Sequence, residues 1–123
     1  MLASKGSVIY ETTPSVQYLV EEIYFNTTRA KIPDDEVFKL DQVASIMLSN
    51  PQYTLQINGH TDDAGDVEMN EHLSMRRARR CYKYLAAKGI PLERMSFEGF
   101  GDSDPKYDGK NLNRRVEFAF VGR

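Results

Sequence analysis

Between Tyr53 and Phe100 the spacing of apolar side chains changes twice, and this limits the fold more than any other feature of the chain. Tyr53, Leu55 and Ile57 alternate with Thr54, Gln56 and Asn58, the period of a strand, and the run ends at Gly59. From about Val67 to Ala87 apolar residues recur at three and four, the period of a helix. Asp66 stands in capping position, and Lys88-Gly89 supplies a basic last turn followed by a glycine suited to the left-handed exit. Met95 to Phe100 returns to alternation. A strand, a helix and a strand in succession must bury the helix against the sheet that the strands build.

The flanks extend the same scheme. Leu19, Ile23 and Phe25 alternate with Val20, Glu22 and Tyr24, which predicts a first strand. Pro33-Asp34-Asp35-Glu36 is a helix start, and Val37, Leu40, Val43, Ala44, Met47 and Leu48 carry that helix to about Ser49, before Asn50-Pro51. Arg114 to Val121 predicts a last strand with Val116, Phe118 and Phe120 on one face, after a polar loop from Gly101 to Leu112. Residues 1–16 read as a lead-in or linker with an edge strand around Val8-Ile9-Tyr10, and residues 17–123 as the domain. The expected class is α+β: order βαβαββ, a mixed four-stranded sheet with two main helices packed on one face. The polar strand positions Gln56, Asn58, Ser96, Glu98 and Glu117 leave the other face wet.

Sixteen basic and eighteen acidic residues leave a formal charge of −2, which excludes a nucleic-acid binder that works by neutralising phosphates. A single cysteine, Cys81, offers no internal disulfide and says nothing about compartment. Apolar runs such as Val43 to Leu48 fall far short of the roughly twenty residues that span a bilayer, so direct membrane insertion is not expected. Met1 to Gly6 lacks the apolar core of a signal peptide, so any export signal is expected to lie outside this sequence or not to exist.

One cation breaks the pattern of the second helix. On a wheel of about 100° per residue with Leu73 at zero, Cys81, Leu85 and Ala78 define an apolar arc. Arg76, Arg79, Arg80 and Lys83 fall on the opposite side, which reads as a solvated face rather than an RNA or membrane surface. Arg77 falls near 40°, inside the apolar arc, with Asn70 beside it. A guanidinium cannot shed its charge, so there it needs a carboxylate or a cleft open to ligands. The loop after the second strand brings Asp62 and Asp63 to the same end of the helix. Arg114, on the face of Val116, is a second inward cation.

Two readings of this set stand side by side. In one, Asp62 and Arg77 form a private ion pair that fixes the loop. In the other, the acid, the two arginines and the helix N-terminus take a small ligand carrying both a carboxylate and an ammonium. His60 and His72, twelve apart around a glycine loop, do not make a metal site, and no cofactor is expected. Cys81 and Tyr84 lie mid-helix, and Ser74 has no histidine placed to activate it, so catalysis is not expected either.

The ordered run Gly59-His60-Thr61-Asp62, Asn70, Leu73-Ser74, Arg77-Ala78, Tyr84-Leu85, Gly89-Ile90, Gly99-Phe100-Gly101, Pro105 and Asn113-Arg114-Arg115-Val116-Glu117 resembles the OmpA-like carboxy-terminal domain, over about residues 20 to 120. Ile23-Tyr24-Phe25 with Ala30-Lys31-Ile32 resembles that family's first strand and turn.

The resemblance implies a noncatalytic periplasmic module that grips peptidoglycan through the diaminopimelate of its stem peptide. Such a module ties the outer membrane, through other domains of a longer parent, to the cell wall. It implies that Asp62 accepts the ammonium of diaminopimelate and Arg77 pairs with its carboxylate. Asn70 and Arg114 give supporting contacts, Thr28 reaches the ligand from a turn, and amides near Thr61 and Asp63 donate. A protein-interaction or oligomerisation module that keeps the fold without wall binding is the alternative.

Overall fold

The computed structural model describes residues 15–17, 21–106 and 110–122. Two short strands open the chain, β1 (Ser15–Gln17) and β2 (Ile23–Tyr24). A 3-10 turn at Asp34–Glu36 leads into α1 (Val37–Ser49), followed by β3 (Thr54–Gly59) and α2 (Val67–Ala87). A second 3-10 turn, Leu92–Arg94, precedes β4 (Met95–Gly99); a short helix α3 (Lys110–Asn113) precedes β5 (Arg115–Gly122).

The sheet is mixed and four strands wide. β4 runs parallel to β3, β3 antiparallel to β5, and the outer side of β5 is shared by β1 and β2, both antiparallel to it. The edge is thus one broken strand: Ser15 lies opposite Gly122 at one end, and Tyr24 opposite Arg115 at the other. β1 straddles the expected boundary at residue 16. The edge strand expected at residues 8–10, and Leu19 and Val20 of the expected first strand, lie outside the described residues.

The helices cover one face. Leu55 and Ile57 of β3, Met95 of β4 and Val116, Phe118 and Phe120 of β5 form a core with Leu40, Val43 and Met47 of α1 and Ala78, Cys81 and Leu85 of α2. Burial of this kind is the main favourable term for the fold. Asp66 caps α2 by accepting from the Met69 amide at 2.7 Å, and Gly89 leaves it at φ +100°. Burial pushes the Cys81 thiol up and keeps it un-ionised.

A pair of glycines sets the height of α2 over the sheet. Gly59 and Gly99 are register partners at the ends of β3 and β4, and a Cβ at Gly59 would run into the carbonyl oxygen of Ser74. Ser74 Oγ donates to the Glu71 carbonyl and accepts from the Gly101 amide, both at 2.8 Å, so it pins the helix to the loop after β4.

The far face is only partly wet, which corrects the alternation reading. At one end Gln56, Ser96 and Glu98 join in a surface hydrogen-bond web. At the other end the segment 101–106 folds over, and Arg115 and His60 are buried. Arg115 donates to Glu117 Oε2 at 2.9 Å and to the Asp104 carbonyl at 3.1 Å, and His60 Nε2 donates to Glu117 Oε1 at 3.1 Å. Alternation gives the side of the sheet, not whether a later loop covers it.

Burial alone would raise the Glu117 carboxyl, but the hydrogen bonds from His60 and Arg115 outweigh it and hold it well below the usual carboxylate range. A depressed carboxyl contributes stability that is present above its unfolded pKa, near 4.3, and is lost as pH falls from there toward its folded value. Glu117→Gln is therefore expected to cost about 2 kcal/mol at pH 7 and less at pH 3, where part of that contribution is already lost. Urea titrations at the two pH values check this.

Candidate functional site

At the Gly59 end of the sheet, a cleft of about 160 Å³ opens between the loop after β3, the turn at residues 26–29 and the first half of α2. Thr28, Thr61, Asp62, Asn70, Arg77 and Arg114 all line it. Asp63, expected with them, is exposed and lies off its wall.

Arg77 is fully buried beneath it, as its place on the wheel requires. Its partner is not the one expected. Arg77 Nε donates to the Arg29 carbonyl at 2.9 Å, Nη1 to the His60 carbonyl at 3.0 Å and Nη2 to the Asn26 carbonyl at 3.0 Å. Its guanidinium also lies over the Phe25 ring, 5.2 Å from the centroid. A guanidinium has five N–H groups, so two are left over after these three bonds. Burial pulls Arg77 down to about 10, opposed by the Asp62 charge and reinforced by Arg114 and Arg76, so it is still a cation at neutral pH.

The ion pair of the site belongs to Arg114. Its Nη1 donates to Asp62 Oδ2 at 3.1 Å and its Nε to the Phe25 carbonyl at 3.0 Å. Asp62 Oδ1 accepts from the Ala64 amide at 3.0 Å. A carboxylate has about four acceptor positions, and an ammonium can still join these two donors. The private Asp62–Arg77 pair is therefore absent: the acid is held by Arg114, just ahead of β5, and the helix cation by the backbone.

Among the described residues three buried side-chain polar atoms have no hydrogen-bond partner, and two of them belong to residues that line the cleft; the third, His60 Nδ1, does not. Thr61 Oγ1 and Asn70 Nδ2 are buried and unbonded, although their residues are only 3% and 5% exposed. Leaving a buried donor or acceptor unmade costs about 1 to 3 kcal/mol, so these two atoms are hydrogen-bonding capacity held in reserve beside the cleft. Thr28 adds strain, with φ at +59°, a left-handed conformation that a β-branched residue holds only when its surroundings enforce it. Its neighbours Asn26 and Arg29 are the turn carbonyls that Arg77 grips.

A model of the OmpA family matches residues 24–118. The chain belongs to the OmpA family. Outer membrane protein Omp38 of Acinetobacter baumannii is 31% identical over 122 residues, covering 89% of this chain and 34% of that protein. The peptidoglycan-associated lipoprotein of Rhizobium meliloti is 34% identical over 85 residues, covering 69% of this chain and 48% of that protein. The chain thus spans about a third to a half of these OmpA-family relatives. Among solved structures, the peptidoglycan-associated lipoprotein of Burkholderia pseudomallei superimposes with a TM-score of 0.77 at 27% identity, over 80% of this chain and 88% of that one. The OmpA-like fold expected from the residues is thus the fold observed. No described helix is long and apolar enough to cross a membrane.

Sequence reasoning missed one cation of this OmpA-family cleft. Arg76, assigned to the solvated face, is exposed but lines the cleft beside Leu73 and Met69. At about 300° on the wheel it sits nearer Leu73 than the other surface cations except Arg80, and it lies on the turn that faces the Asp62 loop. That position was the available signal. His72 takes no part, whereas His60, Asp104 and Glu117 do bring three metal-ligating groups together. Arg115, bonded to Glu117 and 3.9 Å from an Asp104 oxygen, already supplies the positive charge there.

Proposed function

We propose that this cleft holds the zwitterionic end of diaminopimelate in a peptidoglycan stem peptide, and that the domain thereby anchors an envelope protein to the cell wall. The observation that carries the reading is the buried Arg77 with two unspent N–H groups, on the same cleft as the orphaned Thr61 Oγ1 and Asn70 Nδ2. Asp62 receives the ammonium, Arg77 the carboxylate. Asn70 and Thr61 complete the polar contacts, Arg114 holds and aims Asp62, and Thr28 closes the turn side. The names of the lipoprotein relatives support peptidoglycan as the partner, and the envelope location of the relatives supports a periplasmic domain tethered to the outer membrane by parts of a longer parent.

The domain grips without cleaving. Ser74 Oγ is engaged by Gly101 and Glu71, and Cys81 is buried and un-ionised, so neither serves as a nucleophile.

Sedimentation with purified diaminopimelate-type peptidoglycan tests the reading. Asp62→Asn keeps the shape of the side chain and the bond from Ala64 but removes the charge. It is expected to weaken binding by about 2 kcal/mol, roughly thirtyfold, with a smaller loss of stability, about 1 kcal/mol, from the Arg114 pair that a melting curve measures separately. Sedimentation equal to that of the parent would refute the assignment and favour an interaction module.

A further inference from the structure

The charge lining the cleft does not match a simple zwitterion. Three guanidinium groups, Arg76, Arg77 and Arg114, face one carboxylate, Asp62, which leaves two positive charges in excess. The acids of the same loop do not correct this: Asp63 lies off the wall, and Asp66 is turned to the Met69 amide. A ligand end with one ammonium and one carboxylate is neutral and leaves that excess in place. One with a further carboxylate reduces it.

Arg76 is the cation with nothing else to do. Arg77 is bonded to three carbonyls and Arg114 to Asp62 and Phe25, whereas Arg76 makes no hydrogen bond or ion pair among the described residues. It stands at the exposed rim of the cleft. With its zwitterionic end inside the cleft, diaminopimelate carries its second carboxyl on the outer carbon that joins it to the rest of the stem. It is a free carboxylate when diaminopimelate ends the stem peptide and a neutral amide when another residue follows.

We propose that Arg76 is a specificity residue that reads this second carboxylate, so that the cleft prefers stems ending in diaminopimelate over stems that continue past it. The inference rests on the diaminopimelate reading above. An exposed charge pair contributes up to about 1 kcal/mol, so the effect is a preference and not the basis of binding.

The test uses two synthetic tripeptides, L-Ala-γ-D-Glu-diaminopimelate with a free main-chain carboxylate and the same peptide with that group as a primary amide, titrated by calorimetry into the parent, Arg76→Gln and Asp62→Asn. The parent is expected to bind the acid about fivefold more tightly than the amide. Arg76→Gln, with an unchanged melt, is expected to bind both at the parent's affinity for the amide. A parent without preference, or an Arg76→Gln variant that keeps it, overturns the role of Arg76; if Asp62→Asn still loses both peptides, the diaminopimelate reading survives. A parent that binds neither overturns both.

Discussion

Arg77→Ala is expected to lower the unfolding free energy by about 3 to 5 kcal/mol, enough to unfold a domain of this size or bring it close to unfolding. The reason lies in its partners. The guanidinium joins α2 to the carbonyls of Asn26 and Arg29 in the strained turn and to that of His60 in the loop after β3. Truncation leaves three acceptors without their donor and a cavity under Phe25, at about 1 kcal/mol or more for each lost bond. Arg77→Lys is expected to recover only part of the loss, because a single ammonium does not reproduce the planar fork. Chemical denaturation of the three proteins measures this. An unchanged midpoint for the alanine variant would show that the backbone bonds contribute nothing. Asp62 and Arg77, equivalent in the sequence reading, are therefore unequal probes: the acid reports on ligand, the cation on fold and ligand together.

Gly59→Ala is expected to cost about 3 kcal/mol, at the upper end for an added methyl group. The new Cβ would meet a backbone carbonyl of α2, which no side-chain rotation relieves. The helix would have to lift off β3, pulling Ala78 and Cys81 out of their packing. Gly89→Ala is the control: no atom lies within 4 Å of its Cβ, and its cost, about 1 kcal/mol, comes from φ +100° alone. The larger loss at Gly59 should come with loss of wall binding, since the three residues that follow it are His60, Thr61 and Asp62. Equal midpoints for the two variants would show that the helix is free to shift.

What was legible in the sequence follows from what carries a period or a cap. The bounds of α2, its Asp66 cap and its Gly89 exit are local features, and they appear where the residues put them. The burial of Arg77 was legible because a wheel reports direction. Its partners were not, because carbonyl oxygens are the same in every residue and leave no mark in a sequence. The Asp62–Arg114 pair joins residues 52 apart, and only the tertiary fold selects it over Asp62–Arg77. Alternation with Arg114 and Val116 puts Arg115 on the side of Glu117, where it lies, but cannot show that it is covered, since the covering segment, 101–106, has no period to read.

The split edge of the sheet has a mechanical consequence. Ser15 is paired with Gly122 at the end of β5 away from the cleft, and Val116 lies at the cleft end opposite Gly59. A load between a ligand in the cleft and the chain ahead of Ser15 therefore runs along β1. Ladder hydrogen bonds lie across the strands, so this pull shears the bonds of β1 together instead of peeling them one at a time.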